Sequence, residues 1–422
     1  MKKVLLFTTI ALLVVLTFGS AFAVELTMYS SDESKARVLR QVVELYQEEH
    51  PDVKIEVVAF PYANYMQKMS LVFLGGEPPD LLETTATYLP QMTQFLRNVG
   101  PDIEENLGLS PQEYKDSTYD VVKVYLGEED IVHAVPLHFT TYSVWINKEM
   151  FEKAGIAYPP KGGRTEPWTW EEFKDVLKKV KSENATPYAM SIEYSADKFF
   201  SYLALWNIKI LDEEGNFVMD QYENAEKAIN EFVDLFKEEL VPPAEWLSGE
   251  SHTSNFFGGI TAVDWAGSWM ARESFNAEKQ NDVAPCYVPV IEDWFGISGG
   301  GFLAAPQTGD AEKEKAATDF VMWIADKDKG YTEYIKRSRD LSAYKDHSID
   351  YGEPLLDEWA EVHQVLAERA PAWSTEVRAT AVWSRLTDTI RKDLALGISE
   401  SITAQEMIQH WKEEAQRILS EL

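Results

Sequence analysis

The sequence predicts an α/β fold in which strands and helices alternate along the chain. Three segments near its start indicate this fold. Glu25–Ser30 alternates apolar and polar residues like a half-buried strand, Glu33–Glu49 has apolar residues at helical spacing, and Val53–Val57 alternates again. This order forms a βαβ unit, which favours a mainly parallel sheet with helices on its faces.

The same alternation continues toward the C-terminus. Thr169 and Glu172 have the spacing of a helix-capping box, and apolar residues at helical spacing follow them. Further amphipathic helices are predicted over 223–239, over 311–326 and from Ser401 onward. With 422 residues, 45% of them hydrophobic, the chain has enough apolar material for two cores.

The N-terminus has the pattern of a secretory signal. Lys2 and Lys3 precede the apolar run Val4–Phe18, and small residues ending in an Ala-x-Ala pattern lead to Ala23. The run is shorter than the roughly 20 residues of a membrane span. We therefore expect residues 1–23 to be a signal peptide cleaved near Ala23, a periplasmic location and no stable membrane anchor. A retained N-terminal anchor is the alternative.

Composition excludes several classes of partner and cofactor. The formal net charge of −31 repels nucleic acid, so no nucleic-acid partner is expected. The single cysteine, Cys286, cannot form an internal disulfide. The seven histidines lack the spacing of a metal site, and no metal or other cofactor is predicted.

One catalytic motif matches on paper. Residues 296–300 read Gly-x-Ser-x-Gly, which in a hydrolase requires a strand before Ser298 and a helix after it. Gly300, Gly301 and Pro306 follow this serine instead, so the segment is predicted to be a loop entering a strand. No catalytic residue and no enzymatic activity are predicted. Two paired carboxylates of a glycoside hydrolase are the enzymatic alternative. With 70 acidic residues in the chain, no sequence motif singles out such a pair.

Tryptophan is the most informative residue type in this chain. There are 13, and several lie beside glycine, proline or serine instead of inside helical stripes. Aromatic faces suit the apolar faces of sugar rings, while charged and amide side chains hydrogen-bond the hydroxyls. The candidate residues for stacking on a sugar are Trp265, Trp269, Trp294, Trp373 and Trp383.

Seven motifs in one order carry a resemblance to a known family. They read HPDVKIEVV, LGGEPPDLLE, VHAVPLHFTTYSVWINKEMFEKAGI, PWTWEEFKDVLKKV, GGITAVDWAGSWM, GGGFLAAPQTGDAEKEKAATDFVMWIA and GISESITAQEMIQHWKEEAQRIL. With them the chain resembles the extracellular solute-binding proteins, family 1, of bacterial ABC importers, the group containing maltose- and oligosaccharide-binding proteins. The resemblance covers essentially all residues after the signal.

The resemblance implies the two-lobe, type II periplasmic-binding-protein fold, with a ligand clamped between the lobes by hinge closure. An N-terminal lobe would comprise 24–138 and 302–340, and a C-terminal lobe 143–297 and 341–422. The hinge crossings would lie at 139–142, 298–301 and 340–343.

Candidate binding residues follow from this fold and from the rule that open α/β sheets bind ligands beyond the carboxyl ends of their strands. The resemblance places Trp269 and Trp383 at the positions of two stacking platforms and adds Trp294, Trp373 and Arg378. Residues at predicted strand ends and at the first crossing are Ser31, Asp32, Glu83, Thr84, Thr85, His138, Phe139, Glu193, Tyr194 and Asp197.

The resemblance implies that the protein binds a solute and does not change it chemically. A monomer would bind a neutral mono- or oligosaccharide and deliver it to the membrane permease subunits of an ABC importer, with no cofactor. Two alternatives stay open: a secreted carbohydrate-active enzyme, and a binding protein for a non-sugar solute such as a polyol, a glycerophosphodiester or a peptide.

Overall fold

The structure, a computed structural model, describes residues 24–422, and the predicted signal peptide, residues 1–23, lies outside them. Within residues 24–422, no helix combines the length and apolar character that a membrane span needs. Two hydrophobic cores define two lobes. The first lobe has its core in residues from 26–139 and 302–344. The second has its core in residues from 142–297 and 362–418.

The strands are β1 (Val24–Ser30), β2 (Val53–Ala59), β3 (Leu81–Thr85), β4 (Val135–Asn147), β5 (Met190–Ser191), β6 (Val263–Gly267), β7 (Val283–Cys286) and β8 (Ser298–Ala304). Their order is β2-β1-β3-β8-β4-β6-β5, with β7 also paired to β4.

The long strand β4 belongs to both lobes. Its first half pairs with β8, from Val135 opposite Leu303 to Thr141 opposite Ser298. Its second half begins with Tyr142 opposite Gly267 and pairs with β6 and β7. The chain thus passes from the first core to the second within one strand, and β8 runs back beside it.

The two-lobe α/β fold is confirmed, but the prediction of mainly parallel sheets is wrong. Three pairs are parallel, namely β1–β2, β1–β3 and β5–β6. Four are antiparallel, namely β3–β8, β4–β8, β4–β6 and β4–β7. The reason is that β4 and β8 cross between the lobes in opposite directions, so a mixed sheet forms wherever either takes part.

Helices cover the faces of the sheets. They are α1 (Glu33–Glu49), α2 (Tyr62–Leu74), α3 (Gly100–Leu107), α4 (Pro111–Asp116), α5 (Asp120–Lys123), α6 (Lys148–Ala154), α7 (Trp170–Asn184), α8 (Ala196–Ala204), α9 (Ala225–Lys237), α10 (Pro243–Leu247), α11 (His252–Phe257), α12 (Met270–Asn276), α13 (Ala311–Ala325), α14 (Thr332–Ser338), α15 (Pro354–Glu368), α16 (Trp373–Glu376), α17 (Ala381–Ile398) and α18 (Ala404–Leu419).

Local sequence signals set several of these bounds. The predicted capping box forms at α7, where Thr169 accepts from the Glu172 N–H and Glu172 reaches back to the Thr169 N–H. The last helix begins at Ala404, later than the predicted Ser401, because Thr403 and Glu406 form another capping box there. Ser298 begins β8, so a strand and not a helix follows this serine, as predicted.

The third passage between the lobes lies later in the chain than the predicted 340–343. Ala343 and Tyr344 are still buried in the first core. The Tyr344 ring packs edge-on against Tyr331 at 4.5 Å, and its hydroxyl lies 2.7 Å from that of Tyr114. These contacts hold the chain on the first lobe through Tyr344.

Candidate functional site

A cavity of about 310 Å³ lies between the two lobes. Strands β4 and β8 form its floor, and the segments after β1 and β3 face helices α8, α11 and α12 across it. Its volume is at the low end of the roughly 300–1,000 Å³ typical of small-molecule sites. It is lined by Asp32, Ser34, Lys35, Tyr62, Thr85, Ala86, Thr87, His138, Thr140, Tyr142, Glu193, Ser195, Asp197, His252, Thr253, Trp269, Arg272, Glu273, Gly299, Gly300 and Arg378.

A buried hydrogen-bond network positions the wall that follows β1. Lys35 Nζ donates to Glu83 Oε1 at 3.1 Å and to Ser31 Oγ at 2.9 Å. The Ser31 N–H and hydroxyl donate to Glu83 Oε2 at 2.7 and 2.8 Å. Asp32 caps α1 by accepting from the Lys35 N–H at 2.7 Å. Asp32 and Lys35 therefore line the cavity, with Ser31 and Glu83 buried behind them.

Both charged groups on this wall favour their ionised forms. Burial opposes ionisation of Asp32, but attraction to Lys35 and Arg272 keeps its pKa below the usual value. Burial likewise opposes the charged form of Lys35, but Glu83 and Asp32 raise its pKa. A ligand hydroxyl at this wall would meet a fixed acceptor beside a fixed donor.

A second buried ion pair lies in the second lobe and is bonded to the first lobe near the end of β3. Arg378 Nε donates to Asp197 Oδ1 at 3.0 Å, and its guanidinium donates to the Ser298 carbonyl oxygen at 2.6 Å. Thr87, from the first lobe, donates to Asp197 Oδ2 at 2.5 Å. The Asp197 carboxylate is thus held by groups from both lobes.

Trp269 lies on a buried ammonium group. Lys198 Nζ is 4.3 Å from the centre of the Trp269 ring and 4.9 Å from that of Tyr142. The Lys198 side chain is 0% exposed, and Glu193 Oε2 lies 3.6 Å from its Nζ. Burial lowers the Lys198 pKa. Trp269 lines the cavity and can present its indole to a ligand, supported by a cation–π contact.

The pKa values of the two lining histidines are shifted in opposite directions. Burial lowers the pKa of His138 to about 4, so this ring is neutral at neutral pH, with Nδ1 3.0 Å from the Tyr334 hydroxyl. Burial also opposes charge on His252, but the Asp264 carboxylate, 3.0 Å from its Nδ1, raises its pKa above the usual value.

Two glycines make room for site residues. A Cβ on Gly301 would lie 2.4 Å from His138 Cε1. A Cβ on Gly267 would lie 2.2 Å from Trp269 Cζ3 and 2.6 Å from the Thr141 carbonyl oxygen. Real Cβ contacts are not this short, so glycine is required for both close approaches.

The lobes touch directly where they border the cavity. The Ser34 hydroxyl of the first lobe donates to Glu273 Oε1 at 2.6 Å and accepts from Arg272 Nε at 2.6 Å. Arg272 in turn donates to Asp340 Oδ2 at 2.6 Å. At another point on the border of the cavity, the hydrogen bond from Thr87 to Asp197 also joins the two lobes. The structure therefore has the two lobes closed on each other.

Seven of the residues proposed from the sequence line this cavity. They come from both lobes and are Asp32, Thr85, His138, Glu193, Asp197, Trp269 and Arg378. Ser31, Glu83 and Thr84 are fully buried beneath the first-lobe wall. Ser31 and Glu83 position lining residues, as described above, whereas Thr84 faces Met92 in the first core.

Four of the five proposed tryptophans lie elsewhere. Trp265 and Trp383 are 2% and 0% exposed in the second core, where Trp265 donates to Ser201. Trp294 packs under Arg369, 4.0 Å from its ring centre. Trp373 lies near Lys209, 5.2 Å from its ring centre. None of the four lines the cavity, because all of them lie in or pack against the core of the second lobe.

The two remaining candidates also face away from the cavity. Phe139 packs against Tyr119 at 5.2 Å on the opposite side of the crossing strands. Tyr194 packs against Trp246 and lies under Arg391, 4.8 Å from its ring centre. Side chains alternate along a strand, so Phe139 points opposite to its neighbour His138.

The sequence analysis missed several lining residues. Arg272 and Glu273 follow Trp269 by three and four positions, which places them beside it at the start of α12, and this spacing was an available signal. Ser34 and Lys35 lie in the first turn of α1 directly after Asp32. His252 has no comparable local signal, because it begins α11 and only the tertiary structure brings this helix to the cavity.

The lining suits polar recognition of a ligand without net charge. It includes three cationic side chains (Lys35, Arg272 and Arg378) and four carboxylates (Asp32, Glu193, Asp197 and Glu273), so neither sign dominates. Within residues 24–422, no three His, Cys, Asp or Glu side chains are grouped as a metal site would require.

Comparison with known proteins identifies the family. The family model of the bacterial extracellular solute-binding proteins matches residues 30–330. A relative named multiple sugar-binding protein, from Streptococcus mutans, is 20% identical over 182 residues, 40% of this chain and 36% of the relative. The chain spans about half the length, or less, of this relative and of the E. coli and Brucella abortus binding proteins that it also matches.

Solved structures share the fold over almost the whole chain. The maltose-bound MalE3 of T. maritima has a TM-score of 0.76 at 18% identity, covering 93% of this chain and 99% of that one. An ABC transporter solute-binding protein of Thermotoga lettingae, bound with α-D-tagatose, has a TM-score of 0.77 at 18% identity, covering 94% and 100%. With its two lobes and the family match over more than half its length, the chain belongs to the bacterial extracellular solute-binding protein family.

Proposed function

We propose that this protein captures a neutral sugar in the cavity between its lobes and delivers it to the permease of an ABC importer. The observation that carries the proposal is the composition of the cavity. The indole of Trp269 is surrounded by hydrogen-bond donors and acceptors, which include side chains of both charges. Sugars combine apolar ring faces with a rim of hydroxyls, so this arrangement complements them.

The charge balance favours a neutral ligand over an anion. Each lining cation already contacts a carboxylate: Lys35 contacts Glu83, Arg272 contacts Asp340, and Arg378 contacts Asp197. An anionic ligand would have to compete with these partners. A hydroxyl can instead add to the same groups without displacing them.

The proposal extends to export and to movement of the lobes. Cleavage of a signal peptide near Ala23 would place a monomer in the periplasm. The segments 24–138 with 302–340, and 143–297 with 341–422, would then rotate as two bodies, with 341–344 moving with the first because of the contacts of Tyr344. Capture by such a monomer involves no chemical change to the sugar and no cofactor.

Calorimetric titration with neutral sugars tests the proposal. We expect one class of sugar to bind, to stabilise the protein by about 2.7 kcal/mol at a hundredfold excess over its dissociation constant, and to be recovered intact. Trp269→Ala should weaken binding about tenfold or more, or about 1.4 kcal/mol. Trp294→Ala, outside the cavity, is the matched control and should bind like the wild type.

Three results would contradict this function. Recovery of a cleaved sugar would identify a carbohydrate-active enzyme. Binding of a polyol, a glycerophosphodiester or a peptide but of no sugar would identify a different solute class. Equal binding by wild type and Trp269→Ala would show that the indole does not contribute to sugar binding.

A further inference from the structure

The direct contacts between the lobes bear on the length of the ligand. Ser34 meets Arg272 and Glu273 at 2.6 Å, and Thr87 meets Asp197 at 2.5 Å. All five residues line the cavity, so these contacts form part of its boundary. A ligand that extended past either contact would have to break it.

The volume of the cavity agrees with a short ligand. While the lobes touch, the cavity measures about 310 Å³, at the low end of the roughly 300–1,000 Å³ that small-molecule sites occupy. A sugar of three or more rings would have to extend out of this cavity.

The single indole platform points the same way. Among the described residues that line the cavity, Trp269 is the one tryptophan, since Trp265 and Trp383 are buried in the second core. Two tyrosines also line it, but Tyr142 packs edge-on against Trp269 at 5.1 Å and Tyr62 packs against Tyr88 at 5.4 Å. Each stacked ring of a longer chain gains from an aromatic face of its own. One platform serves one ring, and the polar wall of Asp32 and Lys35 can bind hydroxyls of the same ring or the next.

We infer, on the basis of the proposed function, that the site takes a sugar of one or two rings and that Ser34 and Glu273 exclude longer chains. These two residues act as specificity determinants. Neither is needed to hold Trp269, which lies on Lys198, and Arg272 keeps its separate bond to Asp340.

Titration with matched series of sugars tests this inference. The probes are glucose, mannose and xylose with their linear dimers, trimers and tetramers. We expect the trimer of the recognised series to bind at least tenfold more weakly than its monomer or dimer. In the double variant Ser34→Ala, Glu273→Ala this preference should shrink at least threefold. Glu183→Ala, an exposed acid on α7, is the control and should keep it.

The outcomes separate this inference from the proposed function. A wild type that binds trimers as tightly as dimers, or more tightly, overturns the length limit and leaves sugar binding standing. A length preference unchanged in a folded double variant overturns the role of Ser34 and Glu273. Absence of binding by every sugar in the panel refutes the proposed function itself, and the length limit with it.

Discussion

At the scale of single residues, the unusual feature of the site is the environment of Lys198. Its ammonium is 0% exposed and has no hydrogen-bond acceptor among the described residues 24–422. Burying a charge without hydrogen bonds lowers the free energy of unfolding. The cation–π contact with Trp269 and the attraction to the Glu193 carboxylate offset part of this loss. Lys198 thus supports the Trp269 face at a cost in stability.

We therefore expect Lys198→Met to separate stability from binding. The variant should be as stable as the wild type or more stable, by about 0–2 kcal/mol, because an unsatisfied charge is removed from the core. Sugar affinity should fall at least threefold, because Trp269 loses its support. Denaturant unfolding and calorimetric titration measure the two effects.

A control for this pair of measurements exists within the same lobe. Lys227 lies 5.3 Å from the Trp206 ring, but its side chain is 66% exposed. Lys227→Met should change neither stability nor affinity appreciably. A strong loss of stability in Lys198→Met would show that the ammonium is a net stabilising group and would refute this account.

At the scale of elements, Glu245 connects three segments of the second lobe. It lies on α10, accepts from the Ile192 N–H after β5 at 2.7 Å, and accepts from Asn255 on α11 at 2.9 Å. Burial raises its pKa to about 7, although these hydrogen bonds oppose the shift. Because α11 begins with His252, this connection also sets one wall of the cavity.

The raised pKa gives a pH dependence of known sign. Between pH 4.5 and about 7 the folded protein keeps a proton on Glu245 that the unfolded chain has released. The free energy of unfolding therefore falls as pH rises through this range, by about 3 kcal/mol from this group. His138 and His363 have pKa values lowered to about 4 by burial and act in the opposite direction.

Glu245→Gln isolates this effect, since the variant keeps both histidines. The free energy of unfolding of the variant minus that of the wild type should increase by about 3 kcal/mol between pH 4.5 and 7.5. Denaturant titrations across this range measure the difference. Glu223→Gln, at an exposed position, is the control and should not reproduce this increase. A flat difference for Glu245→Gln would mean that this carboxyl ionises normally.

At the scale of the whole molecule, the lobes are joined by β4, β8 and the segment after Tyr344, and they close over the cavity. The contacts between the lobes that border the cavity, those of Ser34 with Arg272 and Glu273 and of Thr87 with Asp197, are polar. A sugar bound between them would add hydrogen bonds to both walls and so favour the closed form over an open one.

Distance measurements between spin labels test this closure. Ser70→Cys on α2 and Ala277→Cys after α12 are exposed positions on elements that line the cleft, and Cys286 is buried. We expect sugar to shorten and narrow the distribution of distances between these labels. A pair within the first lobe, Ser70→Cys with Asn106→Cys, should not change. An unchanged distance between the lobes at saturating sugar would refute closure by rotation.

The sequence by itself determined the elements and the fold class of this protein. Helix α1 has its predicted bounds, Glu33–Glu49, and the capping box of Thr169 and Glu172 forms as predicted. These features depend on neighbours three or four positions apart, so the information is local. Seven proposed site residues reach the cavity, most of them because strand ends of one sheet share an edge.

Only the tertiary structure decided which side chains face the ligand. Trp383 and Trp269 both lie near turns in the sequence, yet one is buried in the second core and the other lines the cavity. Ser34 and Glu273 are 239 positions apart and meet only because the lobes close. Contacts of this kind depend on how two separately folded bodies are placed, and no periodicity within either segment encodes that placement.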